Sequence, residues 1–283
     1  MKMVKKILFG LVAVAAVLSL ASCGIKKDDP EGIIKGTAGN YSVNYKYDGD
    51  GEYRAYKSTA YQHAGALVKV TFDKDADAGN SKFGIIFGLE EKNTGKDFYI
   101  VGVGPNPAGS GGKYYVSRFE KIANIQAPNF GADDEYESYV SKTTGENGEK
   151  ETIWSRDANN GLCTCDLFTD NDGNSYTYIW YQIKMDGSYA IKIGDMTNDN
   201  VTAWKNKTDD QMKSSEPTFK TGAKSITIPQ SATKITPWDG TANSKAPQEA
   251  VAVYARVQGS KTLNGKVKFI KDFKEAEDIE PID

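Results

Sequence analysis

Alternation of apolar and polar residues, broken by Asp-Gly and Asn-rich turns, runs through most of this chain and restricts it to β-structure. The clearest instance begins at Tyr176. Ile179, Tyr181, Ile183 and Met185 fall on one side; Tyr178, Trp180, Gln182 and Lys184 fall on the other. Asp186-Gly187 follows, and an apolar run resumes from Tyr189 to Ile193. Two period-two runs around an Asp-Gly pair predict a hairpin. Residues 41–47 and 53–56 repeat the arrangement around Asp48-Gly49-Asp50-Gly51. Further strands are expected at 66–72, 83–89, 97–103, 114–119, 152–154, 225–228, 251–257 and 266–270, with one short helix at 209–215. Sixteen Tyr, eleven Phe and four Trp favour pleated sheets, and 28 Gly supply turns. The polar segment 122–150 breaks the rhythm and reads as an exposed hairpin tip or long loop.

The N-terminus carries a different signal. Lys2, Lys5 and Lys6 precede an apolar run from Ile7 to Leu20, and small residues follow it. That order describes a secretory signal peptide. The run is 14 residues long, whereas a membrane-spanning helix needs about 17–25. Leu20-Ala21-Ser22-Cys23 resembles the bacterial lipobox at every position. The resemblance implies cleavage before Cys23, acylation of its thiol, and attachment to the cell envelope. Gly24, where an aspartate would signal inner-membrane retention, implies the outer membrane. Acyl chains contribute about 0.8 kcal/mol per buried CH₂, so the partner of the N-terminus is the membrane itself. The expected organisation is a signal peptide at 1–22, a lipidated Cys23 and tether through 37, a sandwich domain at 38–275, and an acidic tail at 276–283.

Loss of residues 1–22 removes three lysines and no acid, which moves the formal net charge from −3 to −6. Nucleic-acid binding calls for a basic stripe, and none is expected here.

The order of strands resembles the concanavalin A-like jelly rolls, in their laminin G-like and glucanase-like forms. The resemblance rests on Phe83-Gly84-Ile85-Ile86-Phe87-Gly88-Leu89 followed by Phe98-Tyr99-Ile100-Val101, and on Lys113 to Phe119. It continues in the string from Trp180 through Lys184 and Asp186-Gly187 to Tyr189, and in the closing pair around Tyr254 and Phe269. It covers roughly residues 66–271, and it implies an all-β jelly-roll β-sandwich preceded by the lipoprotein signal peptide. A spirochaete-type lipoprotein family of undefined role is a second, looser resemblance.

Catalytic strings are missing. The glucanases of this fold carry Glu-x-Asp-x-Glu on one strand, because retaining hydrolysis needs two carboxyls about 5–5.5 Å apart. Ala276-Glu277-Asp278-Ile279-Glu280 lacks the first acid, and Asp133-Asp134-Glu135 lacks alternation. One histidine, His63, and no Gly-x-Ser-x-Gly leave a serine triad without support. Cys163 and Cys165 lack the spacing of a zinc motif, and a bridge between them would close a strained ring. Asp170-Asn171-Asp172-Gly173-Asn174 resembles the middle of a calcium loop. The first ligand position falls on Phe168 and the glutamate position on Ile179, so a tight turn is expected instead. No cofactor is expected.

The aromatic side of the strand from Tyr176 sets rings beside an amide and an ammonium, a composition suited to stacking on sugars. Tyr178, Trp180, Gln182, Arg118, Tyr254 and Arg256 are therefore expected to share one concave groove. The function expected is non-enzymatic: a lipid-anchored envelope protein that binds a glycan or a host or envelope protein. On that reading Trp180→Ala abolishes binding and leaves the melting temperature unchanged. Two alternatives are a glycoside hydrolase with an unrecognised carboxylate pair, and a structural or antigenic lipoprotein.

Overall fold

Among the residues that the computed structural model describes, sixteen stretches are strands, and most fall where alternation predicts them. The described residues are 34–37, 40–46, 52–58, 64–76, 79, 81–89, 98–121, 137–139, 149–153, 163–239, 249–258 and 262–273. Cys23, the signal segment, His63, Trp154 and the acidic tail lie outside them.

The strands are β1 (Ile34–Thr37), β2 (Asn40–Lys46), β3 (Glu52–Ser58), β4 (Gly65–Phe72), β5 (Lys82–Leu89), β6 (Phe98–Pro105), β7 (Gly112–Lys121) and β8 (Glu137–Tyr139). They continue as β9 (Glu149–Ile153), β10 (Cys163–Cys165), β11 (Phe168–Thr169), β12 (Ser175–Ile183), β13 (Tyr189–Gly194), β14 (Lys224–Ile228), β15 (Ala250–Gln258) and β16 (Thr262–Phe273). Three short helices are α1 (Asn198–Lys205), α2 (Asp209–Lys213) and α3 (Gln230–Thr233).

Two antiparallel sheets result. The first runs β1-β2-β16-β4-β12-β13-β14, with β11 also on β12; the second runs β10-β7-β6-β5-β15-β3-β8, with β9 also on β7. The segments β2–β3, β4–β5 and β15–β16 each pass from one sheet to the other. The C-terminal pair is inserted in both, with β16 between β2 and β4 and β15 between β5 and β3. Close packing in the middle of β16 requires glycine at one position. A Cβ on Gly265 would lie 2.0 Å from the Thr71 carbonyl oxygen and 2.7 Å from Phe83 Cζ.

Several features depart from expectation, among them the short strands β10 and β11 and the helices α1 and α3. Sheet pairing begins at Ile34, inside the stretch read as tether. β8 lies within the stretch read as a loop and pairs with β3, while β9, the strand expected at 152–154, already starts at Glu149 and pairs with β7. Both are short, and only a tertiary neighbour stabilises strands of that length. Met185, expected in the core, is 39% exposed, because β12 ends at Ile183 and the next residues enter the turn.

Aromatic rings fill the space between the sheets. Phe72 of β4 meets Phe83 of β5 at 4.3 Å between centroids. Phe87 of β5 lies 4.5 Å from Tyr181 and 4.9 Å from Tyr189 of the first sheet, and 5.7 Å from Tyr99 of its own. Offset and edge-to-face pairs of this kind add about 0.5–1.5 kcal/mol each beyond area burial. Glu249 closes this end of the core. Its carboxylate accepts the Gly88 amide at 2.9 Å and the Tyr189 hydroxyl. Burial raises the Tyr189 pKa well above its ordinary value, and Glu249 pushes it the same way, so the hydroxyl keeps its proton and donates it.

Phe87 touches rings from three strands, so Phe87→Ala is expected to lower the unfolding free energy by about 3–5 kcal/mol. Urea denaturation followed by near-UV circular dichroism measures this.

Candidate functional site

The outer side of β12, where alternation predicts a groove, is divided. Its Trp180 end is roofed by the chain between 196 and 223. Thr197 caps α1 by accepting the Asn200 amide at 3.1 Å. Thr208 and Gln211 cap α2 reciprocally: Thr208 Oγ1 accepts the Gln211 amide, and Gln211 Oε1 accepts the Thr208 amide. The two helices bring Trp204 and Met212 down onto the sheet, both buried. Trp204 meets Trp180 edge-to-face at 6.3 Å and 88°. Trp180 is 1% exposed, and Leu67 opposite it is fully buried.

Polar groups seal the same roof. Gln182 Nε2 donates to the carbonyls of Met212 at 3.0 Å and Lys213 at 3.3 Å, which caps the end of α2. Its Oε1 is buried without a hydrogen-bond partner. Lys184 and Lys192 flank the Trp180 ring at 5.7 and 6.0 Å, and both pair with Glu216, at 3.0 and 2.7 Å. Burial alone would raise the Glu216 pKa, but the bonds from Lys192 and Lys184 outweigh it and hold the carboxyl below its ordinary range.

Asp195 anchors the roof at its root. This buried carboxylate accepts the Met196 amide at 2.8 Å, the Tyr176 hydroxyl at 3.0 Å and the Lys220 ammonium. The Lys220 amide donates to the Asp195 carbonyl at 2.8 Å, which closes the segment into a loop. Burial, then the bond to Asp195, raises the Tyr176 pKa to about 12. Asp195 and Glu249 are the buried carboxylates among the described residues, and each is occupied in holding the fold.

Beyond Tyr178 the face opens. Tyr178 is 6% exposed, and burial followed by Asp195 raises its pKa. Lys69 on β4 lies over the Tyr176 ring at 4.1 Å and near the Tyr178 ring at 5.9 Å. From there across β16 to β2 the outward side chains reach solvent: Lys266, Lys268, Asn40, Ser42 and Asn44 are exposed.

The six expected binding residues do not share one groove. Tyr178, Trp180 and Gln182 lie on the outer side of the first sheet. Tyr254 is buried on the second sheet, on the side away from the inter-sheet core. Its hydroxyl meets that of Tyr115, and the two rings stand edge-to-face at 6.3 Å. Arg256 is two residues further along β15, opposite Arg54 and Lys82 in register, and its side chain lies outside the described residues. Arg118 is half-buried on β7, opposite Tyr99 and on the side of Tyr114 and Val116 that faces the core. Alternation paired Arg118 with Tyr114 correctly. It carried no information about which sheet side the pair occupies.

The remaining motifs are structural. Asp170 accepts the amides of Asp172 at 3.0 Å and Asn174 at 2.9 Å, and the Asn174 side chain at 3.3 Å, so the calcium-like string is a turn that feeds β12. Cys163 and Cys165 are free thiols on β10. Burial, then Asp166, pushes the Cys165 thiol up to about 12, which keeps it protonated and a poor nucleophile. Among the described residues no group of three or more His, Cys, Asp or Glu side chains could hold a metal ion. A surface recess beside β14 is lined by Lys192, Glu216, Phe219 and Lys220, but its charged groups are those already paired in the roof.

No protein-family model matches the chain, and no curated protein or solved structure matches it. The architecture stands as two antiparallel sheets of an all-β protein.

Burial reverses the expectation for Trp180. Trp180→Ala is expected to destabilise the fold by about 3–5 kcal/mol, read as a lowered urea midpoint. An unchanged midpoint would mean the indole is not part of the packed roof.

Proposed function

We propose that this chain is a lipid-anchored outer-membrane lipoprotein whose domain, a jelly roll of the concanavalin A-like kind, binds a glycan without catalysing a reaction. The lipobox resemblance at Leu20 to Cys23 supports the anchor. With lipid supplying attachment, the domain needs no membrane-binding surface of its own. The nested crossovers, in which β15–β16 sits between β2–β3 and β4–β5 in both sheets, support the jelly-roll reading.

The observation that carries glycan binding is the open half of the first sheet's outer side. Hydroxyl, amide and ammonium groups of Ser42, Asn40, Asn44 and Lys268 stand there exposed, bordered by the rings of Tyr176 and Tyr178. Sugars are recognised by this combination: hydroxyls need donors and acceptors in fixed array, and a rigid sheet supplies the array without ordering cost. The site is thus shifted by two strands from Trp180, and Tyr178 is the member of the expected set that borders it.

Two measurements test the reading. A clickable fatty acid should label the wild-type protein in a bacterial host and fail to label Cys23→Ala; labelling of both, or of neither, contradicts the anchor. On a glycan array the wild type should give signal that Ser42→Trp, which fills the open face without touching the core, removes. Absence of wild-type signal, or equal signal from Ser42→Trp, contradicts the glycan site.

A further inference from the structure

The open sheet side has a charge pattern that a neutral sugar does not explain. Outward positions on β2 from Asn40 to Asn44, on β16 from Asn264 to Lys268, on β4 at Lys69 and Thr71, and on β12 at Tyr176 and Tyr178 hold three lysines and no carboxylate. The whole chain has more acid than base, 38 against 35, so this side runs against the overall balance.

The register makes the pattern costly. Lys268 pairs directly with Lys69 across the β16–β4 ladder, and Lys266 stands two residues before Lys268 on the same side. Neighbouring strands are about 4.8 Å apart and alternate residues about 6.8 Å apart along a strand. Like charges directly opposite on a sheet destabilise it. Lys69 is partly relieved by the Tyr176 ring, but neither Lys266 nor Lys268 forms an ion pair among the described residues. A row of lysines on neighbouring strands, flanked by amides at Asn40 and Asn44, favours a repeating anion.

We infer that the ligand is an anionic polysaccharide, of the uronate-bearing class, which lies across β2, β16 and β4 with carboxylates on Lys69, Lys266 and Lys268 and hydroxyls on the amides of Asn40 and Asn44. This inference rests on the glycan reading above and adds the charge of the sugar. Several weak, solvent-exposed charge contacts act together here, and salt screens such contacts.

The test measures retention of the full chain by immobilised polygalacturonate, dextran and phosphatidylglycerol vesicles at low ionic strength. Polygalacturonate should bind, and added salt should weaken it. The Lys266→Gln/Lys268→Gln double variant should bind at least roughly tenfold more weakly, with an unchanged circular dichroism spectrum, and Lys266→Arg/Lys268→Arg should bind like the wild type. Equal binding of dextran and polygalacturonate, unaffected by the glutamine variant, overturns the anionic ligand and leaves glycan binding standing. Binding of vesicles without polygalacturonate, lost in the glutamine variant and so not due to the acyl anchor, overturns it in favour of a lipid surface. Retention by neither polysaccharide removes both readings.

Discussion

Burial of β12 on both sides is the constraint on which the rest of this structure depends. A sheet strand at the boundary of a two-layer protein normally has one dry side and one wet side. β12 has Ile179, Tyr181 and Ile183 in the inter-sheet core and Trp180 and Gln182 under the helical segment. Leaving Trp180 and Leu67 bare would expose a large apolar patch, and covering them needs a segment that satisfies its own backbone. Capped helices meet that need, and their unpaired terminal carbonyls find Gln182. Asp195 then holds the segment where it leaves and returns to the sheet. Core, roof and hinge points therefore form one cooperative unit.

Much of this was legible in the alternation, because the side-chain period of a strand fixes which residues share a side. It gave the hairpin at Asp186-Gly187, the inward Ile179, Tyr181 and Ile183 on β12, and the pairing of ring with arginine on β7. The short helix at α2 was legible from Thr208-Asp209-Asp210-Gln211. The roof was not. In α1 the apolar residues are Val201, Ala203 and Trp204, set among Asn, Asp, Thr and Lys, too few to form the apolar stripe that announces a buried helix. A polar-looking set such as Tyr178, Trp180, Gln182 and Lys184 is equally at home in solvent and beneath a helix end that supplies carbonyl acceptors. Period two assigns sides but says nothing about what packs on them, and the expected groove fell apart for that reason.

The division of the first sheet's outer side has a physical logic. Where the side chains are large and apolar, a helical segment covers them. Where they are lysine, asparagine and serine, β2 and β16 stand uncovered. Lys69 lies at the seam, its ammonium on the Tyr176 ring and that ring's hydroxyl on Asp195. Roof and open face are thereby joined through one chain of contacts.

Trp180 stays covered only if the 196–223 segment is a fixed roof and not a movable lid. Native-state hydrogen exchange measures this most directly, since local and global openings are separated by their free energies. A fixed roof predicts that the amides of Val201, Asn206 and Met212 exchange through the same global unfolding event as Tyr181 on β12. Exchange of those three orders of magnitude faster than Tyr181 would contradict the account and return Trp180 to the ligand.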